Sequence, residues 1–114
     1  MELISIYAPT FECNIHIGCY EVKHICRAFA LEYQLCVSVI REHFYYEDHG
    51  TIGEENGYKI TLLQFPKRIR DELELVDLSF RLANQLIRHT PATTALIVTP
   101  HETFWIGKEN ENKI

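Results

Sequence analysis

The stretch Leu35-Cys36-Val37-Ser38-Val39-Ile40-Arg41-Glu42-His43-Phe44-Tyr45-Tyr46, with its return Tyr58-Lys59-Ile60-Thr61-Leu62-Leu63-Gln64-Phe65, decides the fold. Both halves are rich in β-branched and aromatic residues, which fit a pleated, half-buried surface. Between them, Glu47 to Gly57 holds three glycines, four carboxylates and one asparagine, the composition of a hairpin loop. Pro66 closes the return strand. So short a connection joins antiparallel neighbours.

Helical patterns flank this hairpin on both sides. From Cys19 to Tyr33, the residues Val22, Ile25, Cys26, Phe29 and Tyr33 recur at spacings of three and four, so they share one face. After the hairpin, Asp71 is placed as an N-cap with Glu74 three residues later. The helix it opens runs to about His89 and is ended by Thr90-Pro91. Its expected core stripe is Leu73, Val76, Phe80, Ala83 and Ile87, widened by Leu75, Leu82 and Leu86.

Further out, Leu3-Ile4-Ser5-Ile6-Tyr7 reads as the first strand, stopped at Ala8-Pro9, with Thr10 to Gly18 a loop. Ala95 to Thr99 reads as a buried strand and Thr103 to Ile106 as a short last one. The resulting order, βαββαβ, predicts an α+β, ferredoxin-like domain over residues 1–108. It has an antiparallel sheet, two helices on one face and a short extra C-terminal strand. Residues 109–114 read as a polar C-terminal tail.

One domain suits 114 residues, and 46% apolar with 24% charged residues is an ordinary globular balance. A net charge of −5 argues against nucleic acid and against an anionic membrane surface as partners. Glu2 stands where a secretory signal needs a positive charge, and Pro9 cuts the apolar run short. No stretch approaches the roughly 20 apolar residues of a membrane helix. The expected compartment is therefore cytoplasmic, with Cys13, Cys19, Cys26 and Cys36 as reduced thiols.

The strand faces carry the functional reading. In an open α+β sheet the face away from the helices should read polar. Here Leu35, Val37 and Val39 point one way while Ile40, Phe44 and Tyr46 point the other. Ile60 and Leu62 similarly oppose Leu63 and Phe65, and Ile97 opposes Leu96 and Val98. A contiguous exposed apolar patch beyond a few hundred Å² is rare on a monomer, so a homodimer covering this face is expected.

Two clusters could carry chemistry. Cys13-x2-His16-x2-Cys19, followed by His24 and Cys26, holds residue types that bind zinc. At 100° per residue, however, Cys19 and Cys26 face the core while His24 points away. Ferredoxin-like heavy-metal domains separate their two cysteines by two residues, and here the gap is five. The second cluster is His43, Glu47, Asp48 and His49 at the hairpin, with His101 and Glu102. Imidazoles and carboxylates of this kind serve as acid–base groups or as ligands of a hydrolytic metal. A solvated hairpin tip would carry the same residues. Nucleophile elbows, phosphate-cradling glycine loops and Cys-x-x-Cys are all missing. The third strand keeps Tyr58 and Phe65 without the basic, glycine-containing pattern of an RNA-recognition motif.

The hairpin run Tyr45-Tyr46-Glu47-Asp48-His49-Gly50, with Glu55 and Tyr58, resembles small proteins carried by phages and other mobile elements. The resemblance transfers no functional residue. Taken together, these features predict a binding or assembly module rather than an enzyme. It would need no cofactor and would take a protein or small molecule at its aromatic sheet face or dimer cleft. Tyr7, Phe44, Tyr46, Phe65, Phe104 and Trp105 are the expected binding or interface residues. The alternative is a metal-dependent hydrolase or nuclease built on His43, His49 and His101.

Overall fold

A computed structural model describes residues 2–19 and 21–108; the expected tail, 109–114, lies outside the described residues. The elements run β1 (Glu12–Ile17), α1 (Lys23–Tyr33), β2 (Cys36–Asp48), β3 (Thr51–Leu63), α2 (Glu72–His89), β4 (Thr94–Val98) and β5 (Thr103–Gly107). The five strands form one antiparallel sheet in the order β2-β3-β1-β4-β5. Each βαβ unit skips a strand, β3 lying between β1 and β2, and β1 between β3 and β4. This is the ferredoxin-like α+β arrangement with an added edge strand.

The first strand is not where the sequence placed it. Glu12–Ile17 pairs with β3 on one side and β4 on the other, whereas residues 2–10 join no strand. The burial of β1 explains the choice. Cys13, Ile15 and Ile17 are at most 1% exposed, and Asn14 and His16 turn to the other face. Leu3–Tyr7 has the stronger β-formers, but a strand buried between two neighbours needs small and branched groups inward and tolerated polar groups outward. Cysteine serves as a small buried hydrophobe there.

The expected hairpin loop is also largely strand. The turn is only His49-Gly50, with φ +50° and +87°. Two positive φ values in a two-residue loop make a type I′ turn, whose twist matches that of the flanking strands. The glycines at 53 and 57 read as loop residues in the sequence, yet they sit opposite Tyr46 and Glu42 in the ladder. Gly53 lies beneath the Tyr46 ring and Gly57 beneath the edge of Phe44. Aromatic cover of this kind repairs the missing side chain of a strand glycine.

Both helices pack on one face. In α1, Ile25, Cys26 and Phe29 are buried, as the spacing predicted, and Gln34 in the left-handed region ends the helix. In α2 the Asp71 carboxylate accepts the Glu74 N–H at 2.7 Å, as the cap pattern predicted. The buried stripe of α2 is Leu75, Leu78, Ser79, Leu82, Ala83, Leu86 and Ile87; Ala83, Ile87 and the three flanking leucines are buried as expected, but the stripe is rotated away from Leu73, which is 81% exposed. The rotation follows from the leucines, which outweigh Val76 and Phe80 in apolar area when only one stripe can face the sheet. Ser79 is tolerated because its hydroxyl donates to the Val76 carbonyl. Arg70 donates to the Tyr33 carbonyl and to Glu74, tying the end of α1 to the start of α2.

The molecule is elongated, 57 × 28 × 25 Å, with a radius of gyration of 15.9 Å. A compact chain of this length would have about 13 Å. The excess is the β2–β3 arm: β1 covers β3 only from Tyr58 to Leu63, so Thr51–Gly57 pair with β2 alone. Among the described residues no helix is long and apolar enough to cross a membrane.

Candidate functional site

The sheet face away from the helices positions the site. Antiparallel partners point to the same side, so the register gives its rows. One row is Ser38, Thr61, Asn14, Val98 and Thr103; the next is Ile40, Lys59, His16, Leu96 and Trp105. Beyond these, Glu42 is opposite Gly57, and Phe44 opposite Glu55. The centre of the face is polar. The Thr61 hydroxyl donates to Asn14 Oδ1 at 2.6 Å, and His16 Nδ1 lies 2.8 Å from Glu42 Oε1.

Where the arm leaves the sheet, this face hollows into a cleft of about 650 Å³. Its walls include His16, Phe44, Tyr46, Glu55, Leu96 and Trp105. Glycine shapes its floor. A Cβ on Gly18 would fall 2.6 Å from the Glu55 carboxylate, and one on Gly57 would fall 2.4 Å from Phe44 Cε2. The missing side chains let the carboxylate and the ring lie down on the backbone. The His16 and Phe44 rings meet edge to face, with centroids 6.4 Å apart. Glu55 makes no hydrogen bond or ion pair among the described residues, so its charge faces the cleft and solvent.

Of the six expected aromatic residues, the structure brings Phe44, Tyr46 and Trp105 together here. The other three stand elsewhere. Phe104 points to the helix face and packs on Phe80, centroids 5.0 Å apart. Phe65 lies in the turn bridged to Arg68, and Tyr7, 91% exposed, belongs to the N-terminal segment. His16 and Glu55 were missed as cleft residues, and Glu42 as the partner of His16. Strand alternation would have found them once β1 was placed at Glu12–Ile17, because His16 then falls in one row with Trp105 and Glu42 one row away.

The three histidines of the alternative reading do not meet. His43 sits between Asn56 Oδ1 (2.6 Å) and Glu54 Oε1 (2.8 Å) on the arm. His49 is at the arm tip, 3.6 Å from Asp48. His101 pairs with Glu72 at 3.0 Å. The bond to Asn56, followed by that to Glu54, raises the His43 pKa. Cys13 and His16 point to opposite faces of β1, and burial raises the thiol pKa values of Cys13, Cys19 and Cys26, the last to about 12. Such thiols are poor thiolate ligands. Among the described residues no three His, Cys, Asp or Glu side chains converge on a metal position.

No family model matches the chain, and no curated protein matches it either. Solved structures do. A phage SAM lyase in its apo state aligns with a TM-score of 0.75 at 12% identity, covering 97% of this chain and 100% of that one. A phage SAM lyase in complex with S-methyl-5′-thioadenosine aligns with a TM-score of 0.70 at 11% identity, covering 95% and 97%. CutA1 from Pyrococcus horikoshii aligns more loosely, with a TM-score of 0.48 at 14% identity over 88% of each chain. At these identities the likeness is one of fold.

Proposed function

We propose that this chain is a self-associating binding module whose open-face cleft takes a nucleoside sulfonium of the S-adenosylmethionine kind, or the neutral thioether S-methyl-5′-thioadenosine. The observation that carries the reading is the lining of the cleft: Phe44, Tyr46 and Trp105 gathered beside the unpaired Glu55 carboxylate. Aromatic faces attract a cation and stack on a planar base, and a carboxylate adds charge attraction. A volume of about 650 Å³ lies within the range of small-molecule sites, roughly 300–1,000 Å³. The likeness in fold to phage SAM lyases, one of them holding S-methyl-5′-thioadenosine, supports this ligand class.

Trp105 is the chain's single tryptophan, so its fluorescence reports on the cleft directly. Titration with either compound is expected to give a saturable change. Phe44→Ala should weaken binding about tenfold, the size of one desolvated cation–π or stacking contact. Silence in both fluorescence and calorimetry at millimolar ligand would refute the reading.

Glu55 favours a second, catalytic reading. S-methyl-5′-thioadenosine is the thioether left when the methylsulfonium loses its third carbon arm. The Glu55 carboxylate, with no partner among the described residues, would take a proton from the carbon next to the sulfur-bound carbon of the amino-acid arm; the C–H pair forms a C=C bond as the C–S pair leaves with sulfur, giving the neutral thioether and an unsaturated amino acid. Chromatography of S-adenosylmethionine incubated with the protein tests it. Thioether should accumulate with the wild type and not with Glu55→Gln.

Self-association rests on the arm. A two-stranded ribbon is marginal alone in water, and this one also leaves Tyr45 and Ile52 about 70% exposed. A second copy would cover such surface, whereas the sequence reading put the dimer contact on the sheet face away from the helices. Light scattering showing only a 13.4 kDa species at high micromolar concentration would remove this half of the proposal.

A further inference from the structure

The segment Glu2-Leu3-Ile4-Ser5-Ile6-Tyr7 is rich in strand-forming residues, yet it pairs with nothing among the described residues. Leu3, Ile4 and Tyr7 are 87%, 93% and 91% exposed, and among the described residues no backbone hydrogen bond involves Glu2 to Phe11. A run of strand-forming residues with every ladder group unpaired is half of an interface.

The other half is on the same molecule. β5, Thr103–Gly107, is the outer edge of the sheet, and its five residues match the length of Leu3–Tyr7. Beside it, between β5 and α2, lies a notch of about 520 Å³ floored by Phe80, Ile87 and Ile106 and bordered by Arg88 and Lys108. This is cationic surface on a chain of net charge −5.

We propose that the N-terminal segment of a second copy adds to β5 as an antiparallel sixth strand, reciprocally in a pair. Charge sets the direction. Antiparallel pairing centred on Ser5 opposite Trp105 puts Glu2 opposite Lys108, whereas the parallel arrangement puts it at the Thr103 end. The same register places Ile4 opposite Ile106 and Ile6 opposite Phe104. Residues opposed in a ladder share a face, so both isoleucines enter the apolar notch. Leu3 then falls on the open face over Gly107, where it covers the half-exposed Trp105 at the rim of the cleft. The donor chain thus supplies one wall residue to its partner's site. Main-chain bonds give the affinity and the alternate side chains give the register, as in other strand additions.

This inference rests on the self-association half of the proposed function, and sedimentation equilibrium on the full chain separates the two. Ser5→Pro removes a ladder N–H, and Ile4→Lys puts a cation in the notch beside Arg88 and Lys108. Both changes lie in a segment that packs on no core residue, so circular dichroism should be unchanged. The dissociation constant should rise at least tenfold in each. Lys108→Glu should weaken association, and Glu2→Lys in that background should restore it. If the wild type associates and these variants associate equally well, the strand addition is wrong and self-association stands. If the wild type is monomeric, both fail. Concentration-independent amide protection at residues 3–7 would show that the segment docks on its own chain, which also overturns the exchange.

Discussion

Gly57→Ala tests the architecture of the cleft in one atom. An ideal Cβ on Gly57 lies 2.3 Å from the Ile17 carbonyl oxygen, 2.4 Å from Phe44 Cε2 and 3.0 Å from the Gly18 Cα. Two of these three neighbours are backbone, so no side-chain rotation clears the site. The β1–β3 pairing at Ile17 and Tyr58 must open by most of an ångström, next to residues that are 1% and 4% exposed. Overpacking costs about 1–3 kcal/mol, and a clash with backbone belongs at the top of that range, so about 3 kcal/mol is expected. Gly50→Ala is the control. Its φ is +87°, but nothing lies within 4 Å of its Cβ, so only the backbone penalty of about 1 kcal/mol applies. With a urea slope of roughly 1.5 kcal/mol/M, the midpoint should fall by about 2 M for Gly57→Ala and by less than 1 M for Gly50→Ala. Adding Phe44→Ala to Gly57→Ala removes the ring but not the carbonyl, so it should not restore stability. Equal losses at the two glycines, or rescue by Phe44→Ala, would refute this account of the floor.

The remaining predictions concern the helix cap, the arm and the thiols. Asp71→Ala removes the acceptor of the Glu74 N–H and should cost about 1 kcal/mol, seen as a melting point several degrees lower. The His43 imidazole should titrate above the ordinary value of about 6.5, and Glu54→Gln should bring its NMR midpoint down. Because the folded value is raised, this contact supports the arm fully below pH 6.5 and its contribution fades as pH rises through the folded pKa. A disulfide reagent at pH 8 should modify Cys36 first. Cys13, Cys19 and Cys26 are buried with raised pKa values, so Cys36→Ser should abolish the fast phase.

The middle of the chain was legible because two physical signals agreed there. Aromatic and β-branched runs marked β2 and β3, and a capping acid with a leucine-rich period marked α2. Legibility failed where local composition and tertiary context disagreed. Gly53 and Gly57 argue for loop by propensity, but Tyr46 and Phe44 across the ladder supply the cover a strand needs. No single-strand reading contains that cross-strand fact. Leu3–Tyr7 argues for a strand by propensity, but a strand also needs an edge, and β3 and β4 accept Glu12–Ile17 instead. The site followed the same division. Phe44, Tyr46 and Trp105 could be found as surplus aromatics, whereas His16 and Glu55 became cleft residues only through the register of strands far apart in sequence.

That register also refines where the apolar surplus lies. The sequence suggested a second face greasy throughout, yet the central rows carry Asn14 bonded to Thr61, Lys59, and His16 bonded to Glu42. Covering these rows with a flat apolar partner would strip water from a lysine and from an imidazole–carboxylate pair, at several kcal/mol for any group left unmatched. The exposed apolar side chains are instead at the margins. Tyr45 and Ile52 lie on the arm and Leu3, Ile4 and Tyr7 in the N-terminal segment, while Tyr46, Leu96 and Trp105 line the cleft. Margins of this kind suit contacts between copies. The polar centre with its adjoining cleft suits a small ligand that carries its own hydrogen-bonding groups. The two functions meet only at the Trp105 rim, so a substitution at Ile4 should weaken assembly and remove the partner's Leu3 from that rim while leaving Phe44, Tyr46 and Trp105 in place.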